Sequence, residues 1–568
     1  MPFLEHGYVQ LQYFKFFSNT HSILYFFSNF VKLEKKCQMK NFFSIIILII
    51  SINKFLFTQN YSTYTSKLTR TLDIINFFYV DSVNNEKLTE VAIKKMLETL
   101  DPHSTYLSKE EVKEANEQLE GSFEGVGIQF NILDDTIVVV NVIPGGPSEK
   151  VGILPGDKII QIDTQIVAGV GIKNKDVMKK LRGPKGTKVN VKIFRKGENE
   201  LLDFNIIRDK IPIHSLDAAY MVNKYIGYIK LNRFSATTNN EFTKALKELK
   251  NKGMKDLILD LTGNGGGYLN AAIDIADHFL PPKKLIVYTQ GLNSPRNEYF
   301  ATEKGEFETG RLVIMIDEFS ASASEIVAGA IQDWDRGIIV GRRSYGKGLV
   351  QRPFNLNDGS VIRLTVAKYF TPSGRLIQKP YNMSPSKYNN EIIERYNKGE
   401  LTDSDMVHFP DSTKYFTLSS KRIVYGGGGI LPDLFVPLDT ITFTKFHKSI
   451  VQKGIIYTVT LKYQNKERDN IKKLFPTFEK FNKQFEIPED LFKELLQEAK
   501  KEKIEPKNEE ELQKSEVTLK LLMKALIARD LYGNSHYFEI INPIRPEYQK
   551  AIEVLENKNL YAKKLSNK

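Results

Sequence analysis

One cysteine, Cys37, occurs among 568 residues. That excludes an internal disulfide and any centre built from several cysteines, including a four-cysteine zinc site. Basic residues are not gathered into an arginine-rich stripe. The formal charge of +12 comes from 80 Lys and Arg against 68 Asp and Glu, dispersed mainly as lysines among glutamates, so no nucleic acid partner is expected. Glycine (36) and proline (22) are too few for a collagen-like chain, and a mean hydropathy of -0.31 excludes a polytopic membrane protein. What is present is a globular balance, 41% hydrophobic and 26% charged, over a length far beyond one ordinary domain of roughly 150 residues. This is the composition of a soluble, multidomain, enzyme-sized molecule.

Residues 1–60 read as an upstream leader and a signal peptide. Met39-Lys40-Asn41 precedes the apolar run Phe42-Phe43-Ser44-Ile45-Ile46-Ile47-Leu48-Ile49-Ile50, and polar residues return around Asn53. A basic start followed by so short an apolar stretch means export, because a spanning anchor takes about 20 apolar residues. No small-residue cleavage box stands before Tyr61, so an uncleaved signal that associates with the membrane is the alternative. The pattern begins at Met39, which makes residues 1–38 a mis-assigned start and removes Cys37 from the mature chain.

Four further segments follow. Residues 61–119 form an N-terminal helical region, with apolar positions Leu68, Leu72, Ile75 and then Ile93, Met96, Leu100 before the turn Asp101-Pro102-His103-Ser104. Residues 120–208 are a β-rich module of short strands and glycine turns. Residues 209–440 alternate the strand-like Ile226 to Ile229, Leu257 to Leu259 and Leu312 to Ile316 with helical stretches at 238–250, 268–279 and 322–333, which argues for an α/β core. Residues 441–568 are a charged helical C-terminal extension. Its part from 451 on carries 23 basic and 19 acidic residues, a mixture that suits a solvated appendage or an oligomer contact better than a polyanion-binding tail.

In the β module, Gly125-Val126-Gly127-Ile128-Gln129-Phe130 and the segment from Ile143-Pro144-Gly145-Gly146 through Leu154-Pro155-Gly156-Asp157 together resemble a PDZ domain. The resemblance implies capture of a hydrophobic C-terminal peptide by strand addition, with loop N–H groups at Gly125, Val126, Gly127 and Ile128 receiving the terminal carboxylate. Taken alone, a Gly-x-Gly pair is equally well a tight turn.

The strand Leu312 to Ile316 runs into Asp317-Glu318-Phe319-Ser320-Ala321-Ser322-Ala323-Ser324-Glu325 and then a helix. Small residues at such a junction admit substrate, and a helix N-terminus offers N–H groups to a developing oxyanion. Three serines compete there, no Gly-x-Ser-x-Gly elbow is present, and serine capping explains the local pattern equally well. Downstream, Gly341-Arg342-Arg343-Ser344-Tyr345-Gly346-Lys347-Gly348 nearly fits a phosphate-binding loop, but Gly348 stands where Ser or Thr must hold Mg2+ and no helix follows. A lysine on such a constrained segment can instead act as a general base once burial lowers its pKa.

Jointly, Ser320 to Glu325 and Gly346-Lys347-Gly348-Leu349-Val350-Gln351 resemble the carboxyl-terminal processing peptidases, or tail-specific proteases, and the family likeness spans roughly residues 65–440. The resemblance implies Ser/Lys peptide hydrolysis, with Ser322 as nucleophile, Lys347 as general base and later proton donor, and Gln351 orienting the lysine. Glu325 is a secondary site residue, since an acidic first-turn residue also complements the helix dipole. Asp260-Leu261-Thr262-Gly263-Asn264-Gly265-Gly266-Gly267 resembles the family's strand-to-helix glycine loop, though Thr262 replaces a frequent Arg and Gly265 a common Pro, changes expected to loosen it. The N–H groups of Gly266 and Ala323 are the expected oxyanion hole, with Gly267 nearly equal to Gly266. Arg182, in Leu181-Arg182-Gly183-Pro184, is expected to couple the PDZ-like module to the core.

The expected fold is thus multidomain α/β: a PDZ-like β module, an α/β Ser/Lys peptidase core and a helical C-terminal extension. The expected activity is serine-type endopeptidase cleavage near the C-terminus of exported proteins, with no metal and no cofactor, in a bacterial periplasm or cell envelope. Expected partners are unfolded or C-terminal polypeptides and a regulatory adaptor, with oligomeric state open. The competing reading is an inactive PDZ-containing scaffold, against which the joint presence of Ser322, Lys347 and Gln351 argues.

Overall fold

The computed structural model describes residues 63–566. The leader, the signal peptide and Cys37 lie outside the described residues. The chain divides into two compact units, Met1–Ala92 and Ile93–Lys568. Within the first, residues 63–78 form a helix that leaves Tyr64, Phe77 and Phe78 exposed. No helix among the described residues is long and apolar enough to cross a membrane.

In the second unit, the strands Ile128–Leu133, Thr136–Val142, Lys158–Ile162, Lys188–Phe194 and Leu202–Ile207 form an antiparallel sheet in that order. Asp134 and Asp135, with φ of 48° and 53°, make the two-residue hairpin between the first pair, where the left-handed backbone matches the twist of the strands. The sheet and the helix Asn174–Leu181 enclose Ile137, Val139, Ile159, Val177, Val189 and Val191. Ile128–Leu133 is the end strand of this sheet, with one edge unpaired.

The core is a six-stranded sheet: β1 (Leu216–Met221), β2 (Ile226–Leu231), β3 (Asp256–Asp260), β4 (Leu312–Ile316), β5 (Ile338–Gly341) and β6 (Leu434–Phe435), parallel from β2 onward. Its strands read as continuous apolar runs because both faces are covered. On one face Ile229, Leu231, Leu257, Leu259, Leu312, Ile314, Ile316 and Ile339 pack on α1 (Thr238–Asn251), α2 (Leu269–Asp277) and α3 (Ala323–Asp333). The alternate residues Ile226, Tyr228, Ile258, Val313, Met315, Ile338 and Val340 face the other way.

That second face is covered by Tyr548, Ala551, Val554 and Leu555 of the helix Pro546–Glu556 and by Tyr561 of Lys558–Leu565. Each fully buried apolar side chain contributes about 1.5–3 kcal/mol, so these last helices stabilise the sheet directly. The charged extension therefore has two parts. Its helices between Lys445 and Tyr532 build a separate core from residues such as Ile456, Phe481, Leu495, Leu519, Met523 and Leu526. The Lys and Glu that made the region read as solvated alternate at helical spacing with these buried positions.

A five-stranded sheet beside the core carries Thr105–Leu107, Val361–Phe370, Leu285–Gly291 and Ser294–Phe300, with Leu349–Asn355 paired on Val361–Phe370. At the last residue of α3, Asp333 forms a 2.7 Å ion pair with Arg375, both side chains fully buried. Removing one partner of such a pair leaves an uncompensated buried charge. Asp333→Ala is expected to cost about 3–5 kcal/mol, read as a lowered urea midpoint of the peptidase core by tryptophan fluorescence.

Candidate active site

The parallel sheet delivers three loops to the C-terminal ends of its strands. β4 leads through Asp317 into α3, β3 into the glycine loop, and β5 into the lysine loop 342–348. Ser322 caps α3 at φ 56° and ψ -109°, outside the regions open to a residue with a Cβ, and such strain concentrates at functional turns. The three competing serines separate here. Ser320 Oγ donates to the Leu261 carbonyl at 2.8 Å, Ser324 Oγ donates to the Asn264 carbonyl at 2.8 Å, and both are fully buried. They staple the turn to the glycine loop. Ser322 is left half-exposed.

Glu325, one helical turn on, is buried at the centre of the site. Its Oε2 accepts the Ser322 N–H at 2.8 Å and the Lys347 N–H at 2.9 Å, while Oε1 accepts the Gly346 N–H at 2.7 Å and the Ser344 hydroxyl at 2.5 Å. The serine and lysine loops thus share one carboxylate. Burial pushes the Glu325 carboxyl up to about 7, against the four donors that favour its ionised form. The Tyr369 hydroxyl closes the same gap a second way, donating to the Ser322 carbonyl at 3.0 Å and to the Lys347 carbonyl. Burial, and then the Glu325 charge, push its phenol well up, so it stays protonated and remains a donor.

Burial, seconded by Arg363, brings the Lys347 ammonium below the ordinary lysine range, opposed by the carboxylates of Glu325 and Asp101. Gln351, four residues on, donates its amide N–H to Thr365 Oγ1 at 3.2 Å, and Thr365 Oγ1 donates to Asp101 Oδ1 at 3.1 Å. Asp101 is held in turn by the N–H groups of His103 and Ser104 at 2.8 and 2.9 Å. Gln351 is therefore tied to the carboxylate that acts on Lys347.

The glycine loop abuts the serine. A Cβ on Gly266, whose φ is +103°, would stand 2.8 Å from Ser322 Cβ and 3.0 Å from the Ala323 nitrogen. The expectation that the Gly266 N–H faces an oxyanion is corrected: it donates to Asn264 Oδ1 at 2.9 Å. The N–H groups of Gly267 and Ala323 meet no acceptor among the described residues. The expected loosening around Thr262 is also corrected, since its N–H and hydroxyl both reach Asp260 Oδ1, at 2.8 and 2.6 Å, and Lys230 Nζ donates to its carbonyl at 2.9 Å. Further on, Gly263 N–H donates to Asp317 Oδ1 at 2.9 Å, which joins the glycine loop to the serine turn.

In the β module, the carbonyls of Val126 and Gly127 are used by Ser148 and Ile143, whereas the N–H groups of Val126 and Gly127 meet no acceptor among the described residues. Ile128 opens the unpaired edge strand beside them. Gly125 is corrected: it ends the strand Ser122–Gly125 opposite Asp209 rather than lying in the open loop. Arg182 pairs with Glu117 at 2.7 Å and covers the Phe123 ring at 4.7 Å. Glu117 belongs to the helix Lys109–Glu120, whose Leu119 carbonyl accepts the Ala236 N–H of the core at 2.8 Å. Tyr369, Asp317 and Asp101 carried no sequence signal as site residues: a strand tyrosine and two turn aspartates look the same wherever they occur.

A peptide-binding module on an α/β core with a serine at a strand-to-helix turn defines a serine peptidase with an attached PDZ domain. Family models agree segment by segment: Peptidase family S41 over residues 225–385, a PDZ domain over 125–206, an activating protease CtpB N-terminal domain over 52–111, and a family of unknown function over 446–533. The chain is 34% identical to carboxy-terminal processing protease CtpA of Bacillus subtilis over 395 residues, covering 67% of this chain and 81% of that protein. It is 37% identical to carboxy-terminal processing protease CtpB of the same organism, over 55% of this chain and 65% of that one. The carboxy-terminal-processing protease of Bartonella bacilliformis is 37% identical over 59% of this chain and 77% of its own length. The chain belongs to the carboxy-terminal processing proteases of peptidase family S41.

Glu325→Gln places a donor where the N–H groups of Ser322 and Lys347 need an acceptor. Leaving buried groups unpaired costs about 1–3 kcal/mol each. The variant is expected to unfold at lower denaturant than wild type, measured by circular dichroism. Gly266→Ala, whose Cβ meets the serine and adds left-handed strain, is expected to lose most labelling of Ser322 by a fluorophosphonate while keeping its far-ultraviolet spectrum.

Proposed function

We propose that the protein cleaves unfolded or C-terminal polypeptides as a Ser/Lys endopeptidase. The observation that carries this is the single Glu325 oxygen accepting both the Ser322 and the Lys347 backbone N–H. In the reaction, the neutral Lys347 amine takes the Ser322 hydroxyl proton as Oγ bonds to the substrate carbonyl carbon. The resulting oxyanion lies against the N–H groups of Ala323 and Gly267, with the α3 N-terminus adding favourable charge. The Lys347 ammonium returns its proton to the leaving amine as the C–N bond breaks. Water then attacks the acyl-enzyme, giving its proton to the Lys347 amine, which passes it to Ser322 Oγ as the acyl C–O bond breaks and the new C-terminus leaves. Gln351 orients this lysine through Thr365 and Asp101.

The substrate's tail enters by strand addition along Ile128–Leu133, its carboxylate received by the N–H groups of Val126 and Gly127. Arg182 relays occupancy through Glu117 to the helix that touches the core. Export to a bacterial periplasm or cell envelope and a regulatory adaptor belong to this reading as well, with an uncleaved, membrane-associated signal as the alternative to a cleaved one.

Ser322→Ala and Lys347→Ala should each abolish cleavage of an unfolded peptide with an apolar C-terminus, by cleavage-site mass spectrometry against wild type; cleavage persisting in either variant refutes the dyad. Amidation of the peptide's terminus should weaken its binding, by fluorescence anisotropy. The amine must be neutral, so kcat/KM should rise with pH through an ionisation below the ordinary lysine range. Asp101→Asn removes a charge that raises the Lys347 pKa and should move this limb to lower pH.

A further inference from the structure

Six residues of the C-terminal extension, Asn542–Glu547, touch the supports of both loops that make the site. Arg545 Nη1 donates to Asp260 Oδ2 at 2.8 Å and Nη2 to Thr262 Oγ1 at 2.9 Å. Asp260 is fully buried at the first residue before the glycine loop, where Tyr228 also donates to it at 2.6 Å. Burial alone would push its carboxyl up, but Lys230 and Arg545, with the hydroxyls of Thr262 and Tyr228, hold it well below the usual carboxylate range. Asn542 steadies the guanidinium: its Oδ1 accepts from Arg545 Nη1 at 3.0 Å, and its own amide donates to the Tyr220 hydroxyl at 2.7 Å.

Two residues further, Glu547 pairs with Arg342 Nη1 at 2.5 Å, and Arg342 Nε pairs with Glu318 at 2.7 Å. All three side chains are buried or nearly so. Glu318 lies in the serine turn, and its neighbour Asp317 already holds the Gly263 N–H. One short segment thus braces the glycine loop through Arg545 and the serine turn through Glu547.

We propose that Asn542–Glu547 is a positioning segment for the reaction, setting the glycine-loop N–H groups against Ser322. This rests on the Ser322/Lys347 reading. Arg545 touches neither substrate nor reacting atoms; it acts through Asp260 and Thr262. Loss of its guanidinium leaves the buried Asp260 carboxylate with Lys230 as its remaining cation, and the loop start is free to shift. Displacement of an oxyanion donor by about 1 Å costs on the order of 10²-fold in rate.

The test compares the full-length wild type with Arg545→Met, Arg545→Lys and Tyr561→Phe. Tyr561 lies in the same extension, where its hydroxyl accepts the Leu312 N–H at 3.0 Å, so its variant reports the loss of a buried hydrogen bond between extension and sheet that touches neither loop. In Arg545→Met, hydrogen exchange of the amides of 261–267 should speed up by about tenfold or more, with Lys188–Phe194 unchanged. The kcat on a peptide substrate should fall by about tenfold to hundredfold with KM within about twofold. Arg545→Lys should recover much of both, and Tyr561→Phe should keep the wild-type kcat. Wild-type exchange and kcat in Arg545→Met, or an equal kcat loss in Tyr561→Phe, would overturn the proposal. A wild type that cleaves nothing and takes no fluorophosphonate refutes the Ser322 reading, and the exchange measurement still decides whether Arg545 holds the loop.

Discussion

A buried carboxylate needs donors on every side, and Glu325 finds them in three backbone N–H groups and one hydroxyl of the two loops that must meet. Its oxygens accept from Ser322, Ser344, Gly346 and Lys347. The arrangement is self-enforcing. Moving either loop away strands a charge in a dry environment, so the cost of disorder falls on the site itself. The strained Ser322 backbone is the local counterpart, held by the same carboxylate and by Tyr369 from behind.

The scaffold that brings these loops together is the sheet, whose strands from β2 to β6 all end at one edge. Because both of its faces are apolar, it needs two covers. One comes from α1, α2 and α3, which are local in sequence; the other comes from the far end of the chain. The charged extension is consequently two structures in succession, a helical core of its own and then a set of helices that complete the peptidase. The PDZ domain is joined to the intervening helix through Arg182 and Glu117 and to the extension through Arg468, which donates to the Val140 carbonyl at 3.3 Å.

Much of this was legible in the residues. Alternating apolar strands and helices announced the α/β core, and the glycine turns announced the β module, because periodicity and turn chemistry are local properties. Ser322 could not be separated from Ser320 and Ser324 by pattern. The distinction lies in which hydroxyls reach the carbonyls of Leu261 and Asn264, 59 and 60 positions away. In a run of three glycines, nothing local says which N–H is taken by the Asn264 side chain, and so Gly266 and Gly267 stayed nearly equal as donors. Thr262 looked like a weakness because part of its support comes from Lys230 and Arg545, 32 and 283 positions away. Long-range pairing of this kind leaves no mark on a sequence window.

Placing Tyr548, Ala551, Val554 and Leu555 beneath the strands that end in the serine and glycine loops has a temporal side. A ribosome makes both loops long before it makes the helices that seal the sheet under them. The order of synthesis becomes an order of assembly, and a partly made chain carries the chemistry without the floor it stands on.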